Sequence, residues 1–552
     1  MKKFIFSVVS FTLWLQISAQ LVNEGATLIV ESGANLKIYG NTFNTFGGII
    51  EVNGMMDVQG HFFNEGTLLT QNGWLQFSGE NTSQFQSGGE VIESVMIDKA
   101  DPAFLEILDD LVIEQNLEFI SGKLILGDNS LILGATATMT NAGSSRYIVT
   151  NGSGYFQKRA VDSHPFTFPV GHTHTSYHPV IIANHGVVED FSIRVLNGVY
   201  ENGINIGSMI NEGVVGVSWE IVEANVGLQD ENLSVTLQWN QMDELPGYNR
   251  FDAGIARYNG EYWDLTVDHI GMVSGNDPFT MTRSGLSTGV LAIGAEPLMD
   301  FVLLAPKVYL SGPYDTVNQR MKTHLTGFLP LNEPYEMMSD FEHKGRGGGE
   351  EVEEHSEDNV DWIFIELRDG NDISNVLGTC SAILKNKGDI VGTDENPVKL
   401  SGMRSGASYY LVIRHRNHLG IMTMTGFTSS RSTASALDFT DGSTPVMGNH
   451  SMRFLKNTFQ LWPGDTNGDG SIKFAGIDND VDGILNAILN HPSNNFNSRT
   501  FQFSGYSLMD TNLDGIIKFA GSENDIDGIL NAVLNHPSNV FHSRTFTIPS
   551  SY

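Results

Sequence analysis

The chain has 552 residues, with 64 acidic side chains against 31 basic ones. Its formal charge of −33 argues against nucleic acid and anionic membranes as partners. The single cysteine, Cys380, excludes an intramolecular disulfide, so stability must come from buried apolar surface, with any bound ion adding to it.

Met1-Lys2-Lys3, the apolar run Phe4 to Ile17 and then Ser18-Ala19-Gln20 predict a secretory signal peptide over residues 1–19. The mature protein is therefore expected to be secreted or held at the cell surface. No later stretch has the roughly eighteen uninterrupted apolar residues of a membrane span, so no transmembrane segment is expected.

Residues 20–150 are short alternating runs punctuated by Gly and Asn, among them Thr27–Val30, Asn35–Ile38, Ile49–Val52, Gly73–Phe77, Lys123–Leu126 and Ser130–Leu133. Closely spaced strands with degenerate repeats predict a β-solenoid-like region. Its acids are scattered. The neighbours Asp109 and Asp110, on a strand, would point to opposite faces, so no catalytic group is expected there.

Residues 151–298 predict a β-sandwich-like region in which Leu233, Val235, Leu237 and Trp239 share a face and Trp219 and Trp263 fill the core. A sugar platform is the lesser alternative for these tryptophans. His172, His174 and His178, with His164 and His185, have the beginnings of a zinc site, but no Asp or Glu lies between residues 163 and 188 to complete it. Solvated histidines are the expected outcome.

Residues 299–461 predict a second β-sandwich, of immunoglobulin-like kind, interrupted by a Gly/Glu-rich insertion at 342–357 that reads as a solvated loop. Arg414, His415, Arg416, Asn417 and His418 form a polar run on an apolar strand, where alternation sends Arg414, Arg416 and His418 one way and His415 and Asn417 the other. They are expected to pair with acids such as Asp361 and Glu366, bracing this sandwich against the C-terminal segment, rather than to bind an anion.

Two near-copies of one acidic motif, Asp465 to Ser471 and Asp510 to Ile516, begin 45 residues apart. Oxygen ligands at positions 1, 3 and 5, with Gly at 6, are what an EF-hand-type calcium loop requires. Position 12 is Gly476 or Gly521, and acids stand four residues later at Asp480 and Asp525. Each opens a run of helical spacing, Val481 to Leu489 or Ile526 to Leu534, stopped by Asn-His-Pro. By position, Asp465, Asn467, Asp469, the Ser471 carbonyl and Asp480 are assigned to one calcium ion. Asp510, Asn512, Asp514, the Ile516 carbonyl and Asp525 are assigned to a second. Asp478, Asp482, Glu523 and Asp527 are spare carboxylates.

This duplicated loop, closing Asp and helix, over 462–552, resembles a dockerin module, with four-residue insertions beginning at Phe474 and Phe519. The phrases Ser145 to Gly154, Leu303 to Gly312, Asp361 to Asp369 and Tyr409 to Gly420 are similar to those of exported, hemagglutinin-like surface proteins of the Bacteroidetes. The resemblance implies a mainly β protein ending in a small α calcium module. It implies a non-catalytic surface or adhesion role, with an extracellular protein or glycan as partner. A dockerin-bearing component of an extracellular polysaccharide-degrading assembly is the alternative. No His-Glu-x-x-His or phosphate loop is present.

Overall fold

The computed structural model describes residues 20–223 and 232–550, together with the backbone of a strand at Lys3–Phe6. The expected signal peptide otherwise lies outside the described residues. The chain forms two compact units, residues 1–298 and 299–552.

The first unit opens as a stack of parallel ladders, a β-solenoid of about seven turns. One ladder runs from Leu21–Asn23 to Val170–Gly171, and a second from Asn35–Ile38 to Phe156–Val161. Alternation turns Ile50, Val52, Met56, Val58, Leu75 and Phe77 inward, where all are fully buried. Polar groups inside are paired along the stack. Asn23 donates to Asn44 Oδ1 (2.9 Å), Asn44 to Asn64 Oδ1 (2.7 Å), and Asn64 to the Ser87 carbonyl (2.6 Å). Lys99 is buried with its ammonium on the carbonyls of Gln59, Ser78 and Asn81. Burial pulls its pKa down to about 8.

Phe156–Val161 is the hinge of this unit's topology. It pairs in parallel with Leu131–Leu133 and antiparallel with Glu189–Asn197, so the solenoid sheet continues directly into a sandwich sheet. The facing sheet is Phe166–Phe168, Val180–Asn184, Leu233–Trp239 and Phe279–Leu286, with Ser274–Gly275 at its edge. One apolar core runs from Val30 to Ile293. Trp219, Trp239 and Trp263 are buried in the unit, which leaves no ring face for a sugar.

Asp109 and Asp110 sit in a bend rather than on a strand. Asp109 accepts from the amides of Ser87, Gly88 and Gly89, and Asp110 from Ser130, so both acids cap turns of adjoining coils.

In the second unit, Asn359–Asp369 is the middle of an antiparallel sheet with Val376–Lys385 on one side and Ser408–Arg414 on the other. A second sheet is Val398–Ser401, Phe301–Lys307 and Ser435–Asp438. Cys380 is buried on the first sheet. The segment 342–357 is exposed at most positions, Glu351, Glu353 and Glu354 among them, but is anchored on this sandwich: Val352 packs with Tyr335, Trp362 and Phe364, and the Glu333 amide donates to the Glu350 carbonyl. The chain then forms two helices, α1 (Asp480–Leu489) and α2 (Asp525–Asn535), each N-capped by an asparagine, Asn479 or Asn524.

Candidate metal centre

Each acidic loop closes on itself in the same way. Gly470 and Gly515, at position 6, adopt φ of 74° and 78°, a turn a side chain would strain. Their amides donate to the position-1 carboxylates, Gly470 to Asp465 (3.1 Å) and Gly515 to Asp510 (2.8 Å). Asn467 accepts from the Asp469 amide, and Asp469 from Ser471; Asn512, Asp514 and Ile516 repeat the pattern.

The late closing acids reach back to their own loops. Asp480 accepts from the amides of Thr466 (2.9 Å) and Lys473 (2.7 Å); Asp525 accepts from Thr511 (2.9 Å) and Lys518 (2.8 Å). The four extra residues let Phe474 and Phe519 pack on the module's core before the helix begins. Thr466 and Thr511, at position 2, donate their hydroxyls to the Asp480 and Asp525 carbonyls, both at 2.6 Å. Their recurrence in both copies was a legible signal that ligand counting passes over. Asp482 and Asp527 serve the asparagine caps of α1 and α2.

The strands leaving the two loops pair crosswise. Ser471–Lys473, from the first loop, pairs with Thr547–Pro549 after α2, while Ile516–Lys518 pairs with Gln502–Ser504 after α1. Ile472, Ile484, Ile488, Ile517, Ile529, Val533 and Ile548 bury together beneath them. Burying each aliphatic side chain contributes roughly 1.5–3 kcal/mol.

Charge is concentrated where water is scarce. Burial, with Asp480 and Asp469 nearby, pushes the Asp465 carboxyl up to about 7. Burial likewise raises Asp480 to about 6 and Asp525 to about 8. Asp510 rises to about 6 by burial, although Arg416 opposes the rise. Asp465 Oδ1 is buried without a hydrogen-bond partner. An all-oxygen donor set of this kind fits a hard cation such as calcium and suits no soft transition metal. Asn467 and Asp469 are exposed, which gives an ion a way in.

The polar run after Ser408–Arg414 carries this module. The strand ends at Arg414, so alternation stops there, and His415 and Arg416 both turn onto Asp361, each at 3.0 Å. Tyr506 adds a hydroxyl bond to the same carboxylate (2.8 Å), and Arg416 also donates to the Ser507 carbonyl. Arg414 pairs with Glu366 at 3.0 Å. Asn417 touches both loop entrances: its carbonyl accepts from the Gly464 and Asp465 amides, and its side chain donates to the Asp510 carbonyl (2.6 Å). The expected brace is thus a buried network with Asp361 at its centre.

The other histidines do not gather. His178 is buried on Asp243 (2.9 Å), His172 stacks on it at 5.5 Å, and His164, His174 and His185 are exposed. The acid came from 65 residues away, beyond the window in which it was sought.

Comparison with protein-family models, curated proteins and solved structures finds no match for this chain.

Proposed function

We propose that the protein is an exported calcium-binding surface or adhesion protein, without catalysis of its own, presenting its β units to an extracellular protein or glycan. Two calcium ions would sit in the duplicated loops, on the ligands assigned above, neutralising the buried carboxylates and fixing the crosswise strands. The observation that carries this reading is the repeated closure of two Asp/Asn/Gly loops around buried acids, with Asp465 Oδ1 left unpartnered. The solenoid, its sheet running on into a sandwich, supports a display role.

The test is calorimetric titration of calcium into the full chain, beside an Asp469→Ala/Asp514→Ala variant. Two ions bound by the first and none by the second supports the reading. Absence of binding by the parent chain would reduce the loops to acidic turns.

A second reading, the dockerin-like component of a polysaccharide-degrading assembly, is favoured by Phe496 and Phe541. These occupy equivalent places in the two repeats and are 93 % and 90 % exposed, as a docking surface would require.

A further inference from the structure

Among the described residues, one place gathers three His, Cys or carboxylate side chains so that their ligand atoms all lie within 4.8 Å of one another: Glu333, His343 and Glu350. The loop carboxylates of the calcium reading are not drawn together this tightly. Calcium fills its wider shell with carbonyls and water, whereas smaller ions are held by few, close ligands.

The three residues are built into position. His343 and Glu350 flank Gly347, where a Cβ would stand 2.0 Å from the Thr379 carbonyl, so only glycine lets the chain lie this close to the sandwich. Phe364 packs on the His343 ring, with centroids 4.9 Å apart. The Thr379 hydroxyl is placed to donate to the Lys344 carbonyl (3.3 Å), and with that bond made its oxygen, 3.1 Å from His343 Nδ1, is assigned as acceptor from the ring. In the neutral ring this leaves the lone pair on Nε2. Nε2 is buried, makes no hydrogen bond, and stands 3.4 Å from Glu333 Oε1. Glu333 is itself held by the amides of Tyr335 (2.7 Å) and Glu336 (3.1 Å) and by the Ser381 hydroxyl (3.1 Å). A lone pair facing two carboxylates at this spacing calls for a cation between them.

We infer that Glu333, His343 and Glu350 form a binding site for a divalent transition-metal ion, one imidazole nitrogen and two carboxylates supplying the protein ligands. Thr379 orients the imidazole from outside, as metal-bound histidines require. Mixed nitrogen and oxygen donors suit zinc or its neighbours and not calcium, so the site is independent of the calcium reading.

The experiment loads the full chain with saturating calcium, then titrates zinc at neutral pH, with cobalt(II) absorption reporting coordination. His343→Gln and Glu350→Gln are run in parallel, their melting followed to separate lost ligands from lost fold. Glu350, half-buried, supplies the second variant should loss of the His343 ring loosen the segment. One zinc per chain, bound at least tenfold more weakly by both variants, supports the site. No stoichiometric uptake, or uptake that either folded variant retains, overturns it and leaves the three side chains as packing contacts that hold the 342–357 segment on the sandwich.

Discussion

Replacing Arg416 with Met tests whether the brace beneath the loops holds the second unit together. Arg416 and Asp361 are buried, and Asp361 accepts from Arg416, His415, Tyr506 and the Trp362 amide at 2.8–3.0 Å. Removing one member of a buried pair strands the other charge, at a cost of roughly 3–5 kcal/mol. An Asp361→Asn/Arg416→Met double variant should recover a large part of that loss, because no uncompensated charge remains. The pair also leaves a signature in pH. Burial alone would raise the Asp361 carboxyl, but Arg416, His415 and Tyr506 overcome it and hold it at about 2. Its folded value lies below its unfolded one, so its contribution is present above about pH 4 and is lost as pH falls toward 2. That amounts to about 2–3 kcal/mol. Urea unfolding in chelator, followed by tryptophan fluorescence, measures the substitution cost at pH 7 and the Asp361 contribution between about pH 4 and pH 2.5. An Arg416→Met cost below about 1 kcal/mol, equal in the double variant, would refute the argument.

The raised carboxyls of the loops predict the opposite slope. In chelator, Asp465, Asp480, Asp510 and Asp525 favour the folded state when protonated, so melting temperature should fall as pH rises from about 4 through 8. Calcium at a hundred times its Kd should add about 2.7 kcal/mol per site at neutral pH, about 5.4 kcal/mol for two, and flatten that fall; differential scanning calorimetry checks both. In the solenoid, Asn44→Ala removes bonds to Asn23, Asn64 and the Thr67 carbonyl inside the stack, and should cost roughly 2–3 kcal/mol in denaturant unfolding. Phe496→Ser/Phe541→Ser should change stability by less than about 1 kcal/mol while shortening retention on a hydrophobic-interaction column.

The solenoid and both helices were legible because their signals are local. Strands such as Thr27–Val30 and Ile49–Val52 alternate over a few residues, and the spacing Ile484, Ile488 reads directly as a buried helix face. The loop geometry was legible for a different reason: the assigned ligands and the Asp480 clamp on Thr466 lie within about fifteen residues of sequence. What escaped was contact at a distance. Composition assigns Glu350 to solvent, since nothing nearby announces that Gly347 closes on Thr379 and brings the acid beside Glu333. Alternation beyond Arg414 assumed a strand that had already ended, which placed His415 and Arg416 on opposite sides when they share one carboxylate. His178 likewise found Asp243 just past the end of the strand that pairs with its own, where no window of sequence would have looked.

The crosswise strands also fix the order in which this module can mature. Ile472 of the first loop finds its partner only at Ile548, past the whole second repeat, whereas Ile517 pairs back to Phe503, already made. During synthesis, the second loop can therefore close while the first still lacks a neighbour. The earlier half becomes whole last. Trimming residues 547–549 should then disable a loop encoded far upstream while leaving its sequence untouched. A protease acting there would serve as a remote off-switch for the first site.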